Sequence, residues 1–396
     1  MTQSTTTTLT NKDSNQSYPI HITISLLTAP RYMSRDKELT ETIFSIANEL
    51  EHLWIQSNQS FIHPGATTAT TRHNDDNHFS TNILSSNLLF EFFILNHHGS
   101  EHVNLYEFMD DLRKQSRYSI SQFIKQKGWI NETLLREQVE AEEDEEEIFE
   151  FVGNQTYFDQ FKRKAKLPNE TIELEPFISE SIPLYFSYKE FYFPLKDAPV
   201  VFKQTHHVAS LLRESYYRLL KIYHGDEKRV RDKSFILLLE DDFPVCENHM
   251  KKLIQLLQIS QIQYPENLCG IFMGTGGSSI LINSSVLPHL SQILRKDPTF
   301  ENGRLFKNED GSIRPLPHDV MIQSCLLGEF EDCRENPVLR NCKSIVSDRL
   351  FFRHAGEKAP TDKFLSHKGN KWQCGWINPL TSSPSLPPVV LYQFLQ

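Results

Sequence analysis

Apolar and polar residues alternate along the chain in a pattern that predicts a strand followed by a helix. Residues 20–27 are apolar and rich in β-branched side chains, and they end at Thr28-Ala29-Pro30, which predicts a strand. A strand, a short loop and a helix in this order are typical of the beginning of an α/β domain. The predicted helix rests on apolar residues at helical spacing, namely Leu39, Ile43, Ile46, Ala47, Leu50 and Leu53.

The alternation of strands and helices is strongest from Val200 onward. Residues 235–239 form an unbroken apolar run of strand length, and 268–273 and 279–282 are strand-like runs joined by a glycine-rich turn. Residues 88–95 have the composition of a further buried parallel strand. Three apolar stripes predict the intervening helices: Val208, Leu211, Leu212, Leu219 and Ile222; Met250, Leu253, Ile254 and Leu257; Leu287, Leu290 and Leu294.

Polar segments divide this pattern and set the expected domain organisation. We predict one α/β domain over 19–380, preceded by a disordered polar tail at 1–18 and followed by a C-terminal tail at 381–396. Two peripheral insertions are predicted at about 56–82 and about 114–180. The second contains the run 140–150, in which eight of eleven residues are Glu or Asp, so that much of the net charge of −10 lies in one segment.

Composition and charge exclude several classes of partner and leave the compartment open. No clustered Lys/Arg stripe is present, so we expect no nucleic-acid partner. No run of eighteen or more apolar residues occurs, so we expect no membrane span in this chain. The polar N-terminus has no signal-peptide core, which favours the cytoplasm. Six cysteines, together with Asn-x-Ser/Thr sequons at Asn15, Asn58, Asn131, Asn154, Asn169 and Asn283, favour the secretory pathway instead.

Three carboxylates follow the apolar run 235–239 and are the main candidates for chemistry. Glu240, Asp241 and Asp242 come at the end of a predicted parallel strand, where open α/β sheets bind ligands. Adjacent anions repel one another unless a cation offsets them, and Mn²⁺ or Mg²⁺ prefers oxygen ligands. Strand alternation predicts Glu240 and Asp242 on one face and Asp241 on the other. The alternative is a solvent-facing acidic turn after a core strand.

The acidic triplet resembles the metal-binding position of GT-A-fold glycosyltransferases. Its Glu-Asp-Asp form is similar to that of the N-acetylglucosaminyltransferase IV family and of the family that adds N-acetylgalactosamine to GPI-anchor glycans. Four other stretches resemble landmarks of that fold in the same order. They are the first strand with Thr28-Ala29-Pro30-Arg31, the loop Gly274-Thr275-Gly276-Gly277-Ser278-Ser279, Pro317-His318-Asp319, and Phe351-Phe352-Arg353-His354-Ala355-Gly356.

The resemblance implies an α/β, Rossmann-like GT-A fold with a long peripheral insertion, and it implies roles for particular residues. Asp242, Glu240 and His354 would bind Mn²⁺ or Mg²⁺. Asp319 would be the catalytic base, although His318 stands where the family has Glu. The implied donor-binding residues are Thr28, Ala29, Arg31, Glu240, Asp241, Gly274, Gly276 and Gly277.

The implied reaction is the metal-dependent transfer of a sugar from a UDP-sugar to a glycan hydroxyl, in the Golgi or another secretory compartment. An N-acetylhexosamine donor and a GPI-anchor or N-glycan acceptor are expected. Two alternatives are a GT-A-like protein that binds sugar or nucleotide without turnover, and a phosphotransfer receiver-like module. At the level of single motifs, the glycine loop could be a plain β-turn, Asp319 a helix-start residue and His354 a structural side chain.

The spacing of two cysteines suggests a disulfide. Cys333 and Cys342 flank a polar loop that contains Pro337, which could let the two thiols meet. Such a bond persists only in an oxidising compartment, so the pair would indicate a lumenal enzyme. Two unpaired thiols in a cytosolic protein are the alternative.

We expect deletion of residues 140–150 to change the free energy of unfolding by no more than about 0.5 kcal/mol, because this composition buries too little apolar surface to order itself. Urea unfolding of the deletion variant and the wild type measures the difference. A loss of several kcal/mol would contradict the assignment of this run to a solvated insertion.

Overall fold

The structure is a computed structural model. It describes residues 20–28, 88–96, 172–174, 184–190, 200–275, 278–296, 304–307, 311, 313–355, 372–382 and 390–392, together with helical positions 42, 43, 45, 46, 49, 50 and 53. The predicted tail 1–18, the insertion 56–82 and the acidic run 140–150 lie outside the described residues.

Among the residues that the structure describes, nine strands form a mixed sheet. The strands are β1 (Ile20–Thr28), β2 (Leu88–Asn96), β3 (Ile172–Leu174), β4 (Leu184–Glu190), β5 (Ser234–Glu240), β6 (Leu268–Phe272), β7 (Ile280–Asn283), β10 (Lys343–Ser347) and β11 (Val390–Tyr392); β8 (Leu305–Lys307) and β9 (Ile313–Pro315) form a separate pair. The order in the sheet is β11-β10-β6-β7-β5-β1-β2-β4-β3. Only β7, between β5 and β6, and β3, at one edge, run antiparallel to their described neighbours.

Helices cover both faces of this sheet. The α-helices within the described residues are α1 (Val200–Ile222), α2 (Glu227–Lys233), α3 (His249–Gln263), α4 (Leu287–Arg295), α5 (His318–Leu326) and α6 (Glu331–Glu335), in addition to the helical positions between 42 and 53. Within the described residues, none of the helices combines the length and the apolar character that crossing a membrane requires.

Alternation along the central strands produces two hydrophobic cores, one on each face. In β5, Phe235, Leu237 and Leu239 pack with α3 and the helical positions 43–53, whereas Ile236 and Leu238 pack with α1, α4 and α5. Because every second residue of a strand points to the opposite face, a strand covered on both faces favours apolar residues at every position. β5 follows this pattern over residues 235–239 and β2 nearly so, whereas β1 was recognisable from its alternating apolar residues.

A buried ionic network interrupts the core between β1, β2 and α1. Glu91, fully buried on β2, pairs with Arg218 of α1, and its second oxygen lies 3.3 Å from Nε2 of His21 on β1. Nδ1 of His21 is 3.0 Å from the Tyr223 hydroxyl. Burial raises the pKa of the Tyr223 phenol, so the hydroxyl stays protonated and able to donate a hydrogen bond. The network fixes α1 against the two central strands through polar contacts.

The sequence predicted the central strands, but it missed strands at the sheet edge. β1, β2, β5, β6 and β7 confirm the predicted runs to within one or two residues. β4 lies before Val200, where the strongest predicted alternation begins, and β11 lies within the predicted tail 381–396. Both strands are defined by backbone pairing, with β2 and with β10 respectively.

The predicted Cys333–Cys342 disulfide is wrong. Cys333 on α6 pairs with Cys325 on α5, and Cys342, just before β10, pairs with Cys269 on the neighbouring strand β6. The short chain between Cys333 and Cys342 leads from a helix on one face to the sheet, so each thiol meets the element packed beside it. A third bridge joins Cys246 and Cys374, and all six cysteines are paired.

We expect Arg218→Met to lower the free energy of unfolding by about 3–5 kcal/mol, the usual cost of removing one partner of a buried ion pair. The double variant Glu91→Gln/Arg218→Met should recover part of the loss, because a neutral amide costs less to bury than a carboxylate. Urea unfolding of the single and double variants measures both effects. Equal stability of Arg218→Met and wild type would mean that the network does not stabilise the fold.

Candidate active site at the carboxyl end of β5

The candidate site lies where β5 ends, at the carboxyl edge of the sheet. Glu240 is the last residue of β5, and Asp241 and Asp242 form the turn that follows. Asp241 is 5% exposed and Asp242 is 2% exposed, whereas the Glu240 side chain is 36% exposed. Two of the three predicted carboxylates are therefore removed from water, and the third reaches the surface.

The strand alternation expected for these carboxylates does not extend beyond Glu240, because Asp241 and Asp242 lie in a turn. Asp241 accepts a hydrogen bond from the Thr28 hydroxyl at the end of β1, with 3.2 Å between the oxygens. Oδ2 of Asp242 lies 3.2 Å from Nε2 of His354. Each carboxylate thus has a partner on a different part of the chain.

One polar face of the helical positions 42–53 holds the acidic turn and the segment after it. The Thr42 hydroxyl donates to the Asp241 carbonyl at 2.9 Å. The Ser45 hydroxyl accepts from the backbone N–H of Val245 at 3.0 Å, and the Glu49 carboxylate accepts from that of Asn248 at 2.8 Å. Positions 42, 45 and 49 share one helical face, so one helix positions three successive points of the segment 241–248.

Backbone pairing brings His354 to Asp242 across more than a hundred residues of sequence. The Ala355 N–H donates to the Asp242 carbonyl at 2.8 Å, and the Arg353 N–H donates to the Pro244 carbonyl at 3.1 Å. The imidazole also lies beside the Phe243 ring, with centroids 4.8 Å apart. The structure therefore brings together two of the three residues predicted to bind metal.

Glu240, the third residue predicted to bind metal, interacts instead with the imidazole of His318. Oε1 of Glu240 lies 3.8 Å from Nε2 of His318, which is buried at the start of α5. Burial lowers the pKa of His318, but the nearby carboxylates of Glu240 and Asp319 outweigh that effect and hold the pKa above its ordinary value. The imidazole thus neutralises part of the negative charge at this edge.

Asp319, the predicted catalytic base, lies beside this pair. It is half-buried in the first turn of α5, close enough to His318 to raise the pKa of the imidazole. Its Oδ1 is a buried atom that forms no hydrogen bond with the residues that the structure describes. His318, which stands where the resembling families have Glu, therefore links the predicted base to Glu240.

The glycine-rich loop packs directly against the end of β5. The Ser278 hydroxyl accepts from the Glu240 N–H at 3.0 Å, and the Ser279 N–H donates to the Leu238 carbonyl at 2.8 Å. A Cβ on Gly274 would lie 2.4 Å from the Ser279 Cβ, so only glycine fits there. Gly276 and Gly277 lie outside the described residues, as do Ala29 and Arg31.

The side chains at this edge of the sheet supply only part of the ligand set that a divalent cation needs. Among the described residues, no cluster of three or more His, Cys, Asp and Glu side chains has the geometry of a metal site. Asp242 and His354 supply one carboxylate and one imidazole within 3.2 Å of each other. Cations that bind substrate phosphates often take only one or two carboxylates from the protein, and the phosphates and water complete the shell. The Asp242–His354 pair fits such a partly open site, and Glu240 does not join it here.

Several residues that position the acidic turn were not predicted from the sequence. Thr42, Ser45 and Glu49 lie between the apolar positions of a predicted helix, and their i, i+3, i+7 spacing was the available clue. Ser278 was visible only as part of the glycine loop. No protein-family model matches the chain, and neither the curated proteins nor the solved structures contain a match.

Proposed function

We propose that the chain is a metal-dependent glycosyltransferase of the GT-A fold that moves a sugar from a UDP-sugar to a glycan hydroxyl. The observation that carries the proposal is the contact of the Asp242 carboxylate with the His354 imidazole at the carboxyl edge of the sheet. An N-acetylhexosamine donor and a GPI-anchor or N-glycan acceptor follow from the resemblance of the Glu-Asp-Asp motif.

The sheet topology supports a ligand at this point. From β1 the order continues to β2 on one side and to β5 on the other, so the strand order reverses between β1 and β5. Open α/β sheets bind ligands in the crevice outside such a reversal. Thr28 ends β1 and Glu240 ends β5, and Thr28 joins Asp241 across the crevice. The nucleotide of the donor would enter here.

Asp242 and His354 would hold the cation. When bound, Mn²⁺ or Mg²⁺ stabilises the negative charge that develops on the leaving diphosphate. The protein's contribution is to hold the two ligands ready, through the backbone bond from Ala355 to Asp242 and the packing of Phe243 on the imidazole. Preorganised ligands avoid reorganisation when charge develops.

Asp319 would act on the acceptor. As the acceptor oxygen bonds to the donor's anomeric carbon, the carboxylate takes the hydroxyl proton and UDP departs with the electron pair of the broken bond. His318 sits between Asp319 and Glu240, and its elevated pKa favours the protonated ring, which offsets both negative charges. This arrangement suits an inverting reaction.

The three disulfides favour an oxidising compartment. Cys246–Cys374, Cys269–Cys342 and Cys325–Cys333 each join separate elements of the fold. Structural disulfides persist in the secretory pathway and are rare in the cytosol of most organisms. We therefore infer that the enzyme works in the Golgi or another secretory lumen, although the cysteine pairs differ from the one expected.

We expect Asp242→Ala to weaken binding of UDP in the presence of Mn²⁺ at least tenfold without unfolding the protein, because it removes one of two ligands. Calorimetry measures the affinity, and thermal unfolding checks the fold. Asp232→Ala is the matched control, since Asp232 is an exposed carboxylate on α2, before β5 begins. Equal affinities of Asp242→Ala and the control would remove Asp242 from the metal site.

We expect Asp319→Asn to retain the wild-type affinity for UDP and Mn²⁺ but to lower kcat by roughly 10²–10⁴-fold, the usual contribution of a general base. Release of UDP, measured with the donor and acceptor pair that gives the highest wild-type rate, provides the comparison. Near-wild-type turnover would make Asp319 only a helix-start residue. A wild type that binds UDP-sugar but turns over no acceptor would favour the non-catalytic alternative.

A further inference from the structure

His354 lies in the middle segment of an antiparallel ribbon outside the main sheet. The segment 349–355 pairs on one side with 242–246, the segment that carries Asp242. Arg353 N–H donates to the Pro244 carbonyl at 3.1 Å, and Cys246 N–H donates to the Phe351 carbonyl at 2.8 Å. An isolated antiparallel bridge joins Val245 and Phe352 within this pairing. The register of the two segments therefore determines which residue faces Asp242.

A third segment, 372–377, pairs with the other side of 349–355. His354 N–H donates to the Trp372 carbonyl at 3.2 Å, and Leu350 N–H donates to the Trp376 carbonyl at 2.9 Å. Arg349 and Ile377 form a further antiparallel bridge. The backbone of His354 is thus held by 372–377, while its neighbours on either side bond to 242–246.

The Cys246–Cys374 disulfide joins the two outer segments of this ribbon. Its Cα atoms are 5.7 Å apart, and 128 positions separate the cysteines in sequence. Cys246 is buried, whereas Cys374 and the two residues after it are exposed. Exposed backbone pairs compete with water and open at low cost, so the covalent bridge is the strongest connection from 372–377 to the segment with Asp242.

We propose that the Cys246–Cys374 disulfide is a positioning element for the metal ligand His354. By holding 372–377 against the middle segment, it fixes the backbone of His354 and keeps the imidazole beside Asp242. The inference rests on the proposed function for the role of the cation, but the positioning of His354 is a property of the protein alone. Groups that orient metal ligands affect affinity even though they do not touch the metal.

The sequence offers a matched control for this disulfide. Cys269–Cys342 joins β6 to the start of β10, at the amino ends of these parallel strands and thus at the edge of the sheet opposite the candidate site. It closes a loop of 73 positions. Because the stabilisation by a cross-link depends only weakly on loop length, removal of either bridge should cost similar stability.

The test compares Cys246→Ser/Cys374→Ser with Cys269→Ser/Cys342→Ser. We expect similar decreases in melting temperature for the two variants. Only the first should lose Mn²⁺ affinity, by about 10–100-fold, in calorimetry with saturating UDP. Equal Mn²⁺ affinity of both variants and the wild type would overturn the positioning role, and so would equal losses in both, which would indicate a general effect of stability.

A second measurement tests the positioning of His354 without any metal, and therefore separately from the proposed function. It uses wild-type protein, so it remains informative if a cysteine variant fails to fold. In metal-free wild-type protein, mild reduction should open the bridge at the exposed Cys374, as detected by alkylation. The ring resonances of His354, assigned in labelled protein with a His354→Gln variant, should then shift or broaden. Unchanged resonances after alkylation of Cys374 overturn the positioning role. Shifted resonances in a protein that binds no Mn²⁺ would support it while rejecting the proposed metal site.

Discussion

Two adjacent carboxylates have to be held, almost fully buried, at the end of a central strand. Asp241 is 5% exposed and Asp242 is 2% exposed, in a turn that follows the buried strand β5. Burying a charge is costly unless it is paired and hydrogen-bonded. Neighbouring elements supply these partners. The Thr28 hydroxyl of β1 donates a hydrogen bond to Asp241, and the His354 imidazole of the segment 349–355 contacts Asp242.

The same requirement explains why the supporting contacts come from distant parts of the chain. The helical positions 42–53 hold the backbone of the acidic segment through Thr42, Ser45 and Glu49, and the loop after β6 holds the Glu240 N–H through Ser278. All of these contacts are made to backbone atoms of the segment, and none involves the side chain of Asp241 or Asp242. They fix the direction of the turn, so that the side chains of Asp241 and Asp242 point to different partners. A rigid second layer of this kind is what a precise binding site needs.

Charge is distributed unevenly across the candidate site. On one side, the His318 imidazole is held between the carboxylates of Glu240 and Asp319, and its pKa is raised. On the other side, Asp242 contacts His354 within the ribbon. The two imidazoles thus contact different carboxylates of the acidic turn.

The sequence by itself determined the central strands and the position of the acidic turn, because both depend on local patterns. A strand covered on both faces favours apolar residues at every position, and β2 and β5 were recognisable for that reason, whereas β1 was recognisable from its alternating apolar residues. Strands β4 and β11, the partners of Cys333 and Cys342, and the contact of Glu240 with His318 were decided only by the tertiary structure. These depend on which elements lie side by side, and the local pattern of a segment does not specify which distant segment packs against it.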